Sequence, residues 1–285
     1  MPKVTKKTLN CRGRLIDLTT PAVMGILNVT PDSFFAGSRL SGQASIATAA
    51  VQTAQRMLSE GATFLDVGGY STRPGAAEVS PTEEADRILP AIEAILSHFP
   101  DALISVDTFR ASVARQAIDA GAVLINDVAG GTLDPVMFTT VAELDVPYVL
   151  MHLRGTPQTM RSLATYQNVV TDVIDELAAR LIELRSLGVK DIILDPGFGF
   201  AKTPTQNFFL LNSLTAFSLF DEPLLVGLSR KTTIWKTLNI SADEALNGTT
   251  VLNTIALQNG ASILRVHDVR EAVEVVKLTQ NLTFF

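Results

Sequence analysis

Asp119-Ala120-Gly121-Ala122-Val123-Leu124-Ile125-Asn126-Asp127 contains one complete joint of this chain. The glycine ends a helical stretch that begins at Phe109, and glycine readily takes the left-handed backbone that closes a helix. The run Val123 to Ile125 is apolar without alternation, the pattern of a parallel strand covered on both faces. Asn126 and Asp127 then bring polar groups to the strand's exit. The same phrase returns as Gly61-Ala62, Gly188-Val189 and Gly260-Ala261, each between a helical stretch and an apolar run.

Outward from this joint the pattern covers the chain. Val23 to Val29, Thr63 to Val67, Ala102 to Val106, Val146 to Met151, Asp191 to Leu194, Leu224 to Leu228 and Ser262 to Val266 read as further strands. Ala44 to Glu60, Pro81 to His98, Asn168 to Leu187, Glu244 to Gln258 and Val269 to Leu282 read as helices. Ser80, Pro81 and Glu83 form a capping-box start for the second of these. Eight strand–helix units in 285 residues predict an α/β fold, a (β/α)8 TIM barrel, with a doubly wound open sheet as runner-up. No linker or composition shift divides the chain, so residues 1–285 are expected to form one domain. Leu9 to Leu18, turning at Arg12-Gly13, is expected to be a short N-terminal hairpin closing the barrel floor.

Composition narrows the function. Hydrophobic residues make up 47% and charged residues 18%, enough for a large core. A net charge of −6 without a basic stripe disfavours nucleic acid as a partner. Cys11 is the only cysteine, which excludes an internal disulfide framework and fits a reducing compartment. No run reaches the roughly 18 apolar residues of a membrane span, and no secretory signal is visible, so a cytoplasmic protein is expected.

In such a barrel the chemistry gathers where the strands end. Those ends carry Asn28, Gly68-Gly69, Asp107, Asn126 with Asp127, His152, Asp195, Ser229-Arg230-Lys231 and Arg265-Val266-His267. Asp107, Asn126 and Asp195 suit a flat heterocycle with amino and oxo groups on one edge. Arg73, Arg265 and His267 suit phosphate, which arginine's planar fork grips through two oxygens. Lys231 supplies a cation and donors, and the Asn28 oxygen suits a hard cation such as Mg²⁺. Plainer readings stand beside these. Asp107 or Thr108 could equally cap the following helix. Asn126 could hold a loop. His152 reads as a packed, hydrogen-bonded residue, Arg230 as an ion-pair partner, Cys11 as an inert thiol and Phe208 to Leu211 as core or interface.

The blocks at the strand ends resemble one family in order. They are Gly25-Ile26-Leu27-Asn28-Val29-Thr30-Pro31-Asp32-Ser33-Phe34, Gly68-Gly69-Tyr70-Ser71-Thr72-Arg73-Pro74-Gly75, Ser105-Val106-Asp107-Thr108 and Ile125-Asn126-Asp127. Met151-His152-Leu153-Arg154-Gly155-Thr156-Pro157, Asp195-Pro196-Gly197-Phe198-Gly199-Phe200, Ser229-Arg230-Lys231 and Arg265-Val266-His267-Asp268-Val269 follow. Together they resemble the dihydropteroate synthases. The resemblance implies an enzyme that joins a pterin pyrophosphate to p-aminobenzoate with Mg²⁺, and a homodimer. It implies that Asp107, Asn126 and Asp195 bind the pterin, with Lys231 beside it. It implies that Arg265 and His267 hold pyrophosphate and that Asn28 meets Mg²⁺. It implies that Thr72, Arg73 and Pro74 stand on a loop that closes over the site, and that Pro74, Phe200 and Ser229 surround p-aminobenzoate. Lys231, Asp195, Arg73 and Asp107 are the residues expected to carry turnover. A pterin-dependent methyltransferase would share the pterin contacts but has no use for the pyrophosphate grip. Three positions depart from the family: Ala36 replaces a common aspartate, Tyr70 a common glutamate, and Ala201 a frequent glycine.

Overall fold

The computed structural model describes residues 7–30, 43–70, 78–156 and 158–282. Four helices within them end in one shape. Gly61, Gly121, Gly188 and Gly260 have φ of 101°, 113°, 88° and 100°. The amide after each glycine bonds a carbonyl five residues back. Ala62 reaches Met57 at 2.9 Å, Ala122 reaches Ala117 at 2.9 Å, Val189 reaches Leu184 at 3.1 Å and Ala261 reaches Ala256 at 2.9 Å. This closure satisfies carbonyls that a helix end would leave open and sends the chain into the next strand.

The hairpin comes first, as β1 (Thr8–Cys11) paired antiparallel with β2 (Arg14–Asp17). Arg12 and Gly13 at its tip have φ of 52° and 87°, the double positive φ that a tight hairpin needs. Eight parallel strands follow: β3 (Ala22–Asn28), β4 (Phe64–Gly68), β5 (Leu103–Asp107), β6 (Leu124–Asp127), β7 (Tyr148–Met151), β8 (Ile192–Asp195), β9 (Leu225–Val226) and β10 (Ile263–Val266). β3 to β8 pair in sequence order, and β10 pairs with both β9 and β3. Between β8 and β9 the contact is a single bridge, Leu194 with Leu224, so the barrel is nearly closed.

Nine helices are described around it: α1 (Gln43–Glu60), α2 (Pro81–His98), α3 (Ala111–Asp119), α4 (Met137–Leu144), α5 (Val169–Ser186), α6 (Pro204–Asn212), α7 (Thr232–Leu238), α8 (Leu246–Gln258) and α9 (Val269–Gln280). α4, α6 and α7 are absent from the sequence reading. Each has nine residues or fewer, about two turns, too short for a clear helical period. The Ser80 hydroxyl accepts from the Glu83 amide at 3.2 Å, but the Glu83 carboxylate turns to Arg87, so only half of that capping box forms. The complete box starts α6, where Thr203 and Gln206 exchange bonds of 2.8 and 3.3 Å. None of the helices among the described residues is long and apolar enough to cross a membrane.

Side chains alternate across each strand with period two. Leu65, Val67, Ile104, Val106, Ile125, Leu150, Leu194, Leu264 and Val266 pack outward beneath the helices. Met24, Phe64, Leu103, Leu124, Val149, Ile193, Leu225 and Ile263 point inward and meet Leu9 and Cys11 of the hairpin in a second apolar cluster. The hairpin therefore plugs the barrel floor, as the sequence led us to expect.

Candidate active site

Two residues above the floor, the inward faces turn polar. Phe64 is followed by Asp66, Leu103 by Ser105, Leu124 by Asn126, Ile193 by Asp195 and Ile263 by Arg265. Asp66, Ser105, Asn126 and Asp195 are buried. Asp66 lies at the hub. Its carboxylate accepts from Ser105 Oγ at 2.6 Å, Asn126 Nδ2 at 2.9 Å and Arg265 Nε at 2.6 Å. Arg265 Nη2 reaches Asp107 Oδ2 at 2.5 Å. Against burial, Asp66 and Asp107 hold the Arg265 guanidinium in its charged form above its usual range. Burial raises the Asp107 carboxyl to about 7, Arg265 opposing and Asp66 adding to the rise. Donation to Asp66 also fixes the Asn126 amide, so its oxygen is the end left to accept.

Asp195 and Lys231 form the facing pair. Asp195 Oδ1 accepts from the Gly197 amide at 2.7 Å. Burial raises its carboxyl, and the charge of Lys231 pulls the other way. Burial also lowers Lys231 to about 8, with Asp195 opposing. The Lys231 ammonium donates to the Phe198 carbonyl and stands 4.5 Å from the Phe200 ring centre, a cation–π contact. Gly199, at φ 80°, passes so close that a Cβ there would lie 2.9 Å from Lys231 Cδ.

Other expected residues fall into place or apart. Ser229 Oγ lies 2.9 Å from His267 Nδ1 and accepts from the His267 amide at 3.1 Å. Asn28 ends β3 beside Gly68. Thr72, Arg73, Pro74 and Ala36 lie outside the described residues. Asp107 faces Arg265 and caps no helix; the α3 start is bonded by Asp134 Oδ2 to the Ala111 amide at 2.8 Å. Asp127 faces outward from Asn126 and accepts from Tyr148 Oη at 2.7 Å and from the Ala129 and Gly131 amides at 2.8 Å. Arg230 makes a two-pronged ion pair with Asp268, both bonds 2.9 Å. His152 is fully buried, 3.0 Å from Glu176 Oε2. Tyr70 packs edge-on to Phe109 at 5.2 Å. Ala201, at φ 47°, holds a left-handed backbone that glycine would take freely.

Three polar residues here escaped the sequence reading: Asp66, Glu176 and Lys202. Asp66 had a signal, a lone acid inside the apolar run Phe64-Leu65-Asp66-Val67. Glu176 had none beyond an ordinary helical glutamate. Among the described residues no group of three His, Cys, Asp or Glu side chains could cage a metal. The Asn28 side chain offers an oxygen of the kind that a hydrated Mg²⁺ can take as one ligand.

Comparison with known proteins gives this geometry a context. Residues 24–267 match the family described as "Pterin binding enzyme". The dihydropteroate synthase of Escherichia coli K12 is 42% identical over 274 residues, covering 95% of each chain. That of Haemophilus influenzae is also 42% identical, covering 95% of this chain and 98% of its own. The Xanthomonas albilineans dihydropteroate synthase solved with 4-aminobenzoic acid superposes with TM-score 0.90 at 38% identity, over 99% of this chain and 100% of that one. The same enzyme in complex with 7,8-dihydropteroate gives 0.87 at 36% identity, over 98% and 99%. The polar barrel mouth, the ordered blocks and these full-length likenesses agree: the chain belongs to the dihydropteroate synthases, transferases of the pterin-binding enzyme family.

Proposed function

We propose that the enzyme condenses 6-hydroxymethyl-7,8-dihydropterin pyrophosphate with p-aminobenzoate, giving 7,8-dihydropteroate and pyrophosphate in folate synthesis. The observation that carries this reading is one barrel mouth that holds Arg265 paired with Asp66 and Asp107, Asn126 bonded to Asp66, and the buried charges of Asp195 and Lys231 near enough to influence each other. The Xanthomonas complexes with 4-aminobenzoic acid and 7,8-dihydropteroate support the choice of substrates.

In this reading Asp107, Asn126 and Asp195 bind the pterin's polar edge. Arg265 has Nη1 outside its two ion pairs and, with His267 and Arg73, takes the diphosphate. Asn28 would hold Mg²⁺, which when bound neutralises charge on the departing diphosphate. The C–O bond breaks early, and the carboxylates of Asp107 and Asp195 stabilise the positive charge that spreads into the pterin. The aryl amine attacks while neutral, so no strong base is required. Phe200, Ser229, Thr72 and Pro74 seat p-aminobenzoate, with Lys231 between the two substrates. We place this homodimeric enzyme in the cytoplasm.

The test is direct. With both substrates and Mg²⁺ the enzyme should release pyrophosphate and form dihydropteroate in equal amounts. Lys231→Ala and Asp195→Ala should each cut kcat/KM by roughly a hundredfold or more. Near-normal turnover in either would place the chemistry elsewhere.

A further inference from the structure

Behind the aryl-amine side of the site lies a cation that the proposed chemistry leaves idle. Lys202 stands between β8 and α6. Its Nζ lies 3.0 Å from the Gly197 carbonyl, 3.1 Å from the Phe200 carbonyl and 3.0 Å from His152 Nδ1. An ammonium has three donors and no acceptor, so these three partners use it fully. His152 Nδ1 must then accept, which puts the ring proton on Nε2, 3.0 Å from Glu176 Oε2. The other Glu176 oxygen takes Arg154 Nε at 2.8 Å and Nη2 at 2.5 Å. A continuous polar chain thus runs from Arg154 through Glu176 and His152 to Lys202. Burial lowers His152 to about 4, which keeps its ring neutral, as this chain requires. Burial likewise lowers Lys202 to about 7, with the Asp195 charge opposing.

The far end of this chain grips both carbonyls that bracket residues 197–200. Inside that turn Phe198 offers its carbonyl to Lys231, and Phe200 sets its ring 4.5 Å from the same nitrogen. The turn lies outside regular structure, with Gly197, Gly199 and Ala201 all at positive φ. Its own Phe200 amide bonds the Gly197 carbonyl at 3.1 Å, and Asp195 and Asn207 hold the Gly197 and Gly199 amides. Lys202 is the side chain that joins the Gly197 and Phe200 carbonyls. Fixing its carbonyls therefore fixes the groups that face the second substrate.

We propose that Lys202 is a positioning residue for the aryl amine: by bonding the Gly197 and Phe200 carbonyls it sets where Phe200 and Lys231 stand. The proposal rests on the reaction given above. A lysine that merely filled space would affect both substrates alike; this one should not.

Wild-type enzyme is assayed first with both substrates, and failure to form dihydropteroate would sink the reaction, not the polar chain. In Lys202→Met, KM for p-aminobenzoate should rise about tenfold or more while KM for the pterin pyrophosphate stays within about twofold. Lys202→Arg, which keeps donors, should recover part of the loss. Nitrogen chemical shifts of His152 give a readout without substrate: the Nε2–H form in wild type, a mixture with Nδ1–H in Lys202→Met. Equal rises in both KM values, an unchanged KM for p-aminobenzoate, or an Nδ1–H tautomer in wild type would each overturn the proposal. If Lys202→Met does not fold, Glu176→Gln applies the same criterion, with an expected rise for p-aminobenzoate alone of about threefold.

Discussion

The two ends of the barrel are built on the same strands and obey opposite rules. At the floor, Phe64, Leu103, Leu124, Ile193 and Ile263 fill the interior with Leu9 and Cys11. One inward position later the same strands present Asp66, Ser105, Asn126, Asp195 and Arg265. The floor is held by apolar area, which is non-directional and tolerates swaps of similar volume. The mouth is held by charges that stabilise only as a complete set, since a buried carboxylate or guanidinium without its partner costs several kcal/mol. Precision of position is therefore concentrated at the mouth, and bulk stability beneath it.

Asp66→Ala tests this contrast most severely. It removes one of two carboxylates on Arg265 and strands Asn126 Nδ2 and Ser105 Oγ in the interior. We expect a loss of about 3–5 kcal/mol in urea unfolding and weakened pterin binding in calorimetry. A loss below about 1 kcal/mol would mean that Asp107 alone suffices for Arg265 and that the mouth is as forgiving as the floor.

Acid should separate the two ends next. His152 titrates at about 4 in the fold against an ordinary 6.5. Between these values the unfolded chain binds the proton and the fold does not, so stability falls as pH drops through this window. The loss is on the order of 3 kcal/mol. Glu176, held at about 2 by His152 and Arg154 against burial, adds a further loss at lower pH, below the ordinary carboxyl range. His152→Gln should remove the slope between about pH 6.5 and 4, measured by urea unfolding at a series of pH values. A floor substitution should leave that slope alone. An unchanged slope in His152→Gln would show that another group titrates there.

How much of this was legible follows from period and distance. The glycine joints and unbroken apolar runs are local signals, and they placed eight strands and the hairpin. Reading polar residues at strand exits found Asp107, Asn126, Asp195, Lys231 and Arg265 because exit and mouth coincide there. It passed over Asp66, which sits inside its strand yet faces the same mouth through the two-residue alternation. Partnerships such as Arg265 with Asp66, or His152 with Glu176 and Lys202, join residues far apart in the chain, and no local pattern announces them. The assignment of Asp107 to Arg265 in place of a helix cap was likewise decided by packing.

A change at the floor should be smaller and leave the chemistry untouched. Cys11 is buried among apolar side chains, and burial pushes its thiol up to about 12. Cys11→Ser puts a hydroxyl there and should cost about 1–3 kcal/mol, read by urea unfolding. Both KM values and kcat should match wild type within about twofold. A selective loss of activity would mean that the plug transmits its packing to the mouth.

The smallest effect is expected at Ala201, where opposing terms nearly cancel. Its left-handed backbone costs an L residue roughly 1–2 kcal/mol that glycine would not incur. Glycine would lose about 0.5–1 kcal/mol more entropy on folding. It would also forfeit a methyl packed with Val128, Met151, Leu153 and Met160, worth about 0.8 kcal/mol. Ala201→Gly should therefore change stability by less than about 1 kcal/mol and shift Tm by only a few degrees. A loss above about 2 kcal/mol would show that the Ala201 methyl, not backbone strain, governs the turn, and that apolar packing reaches further into the mouth than the charge network suggests.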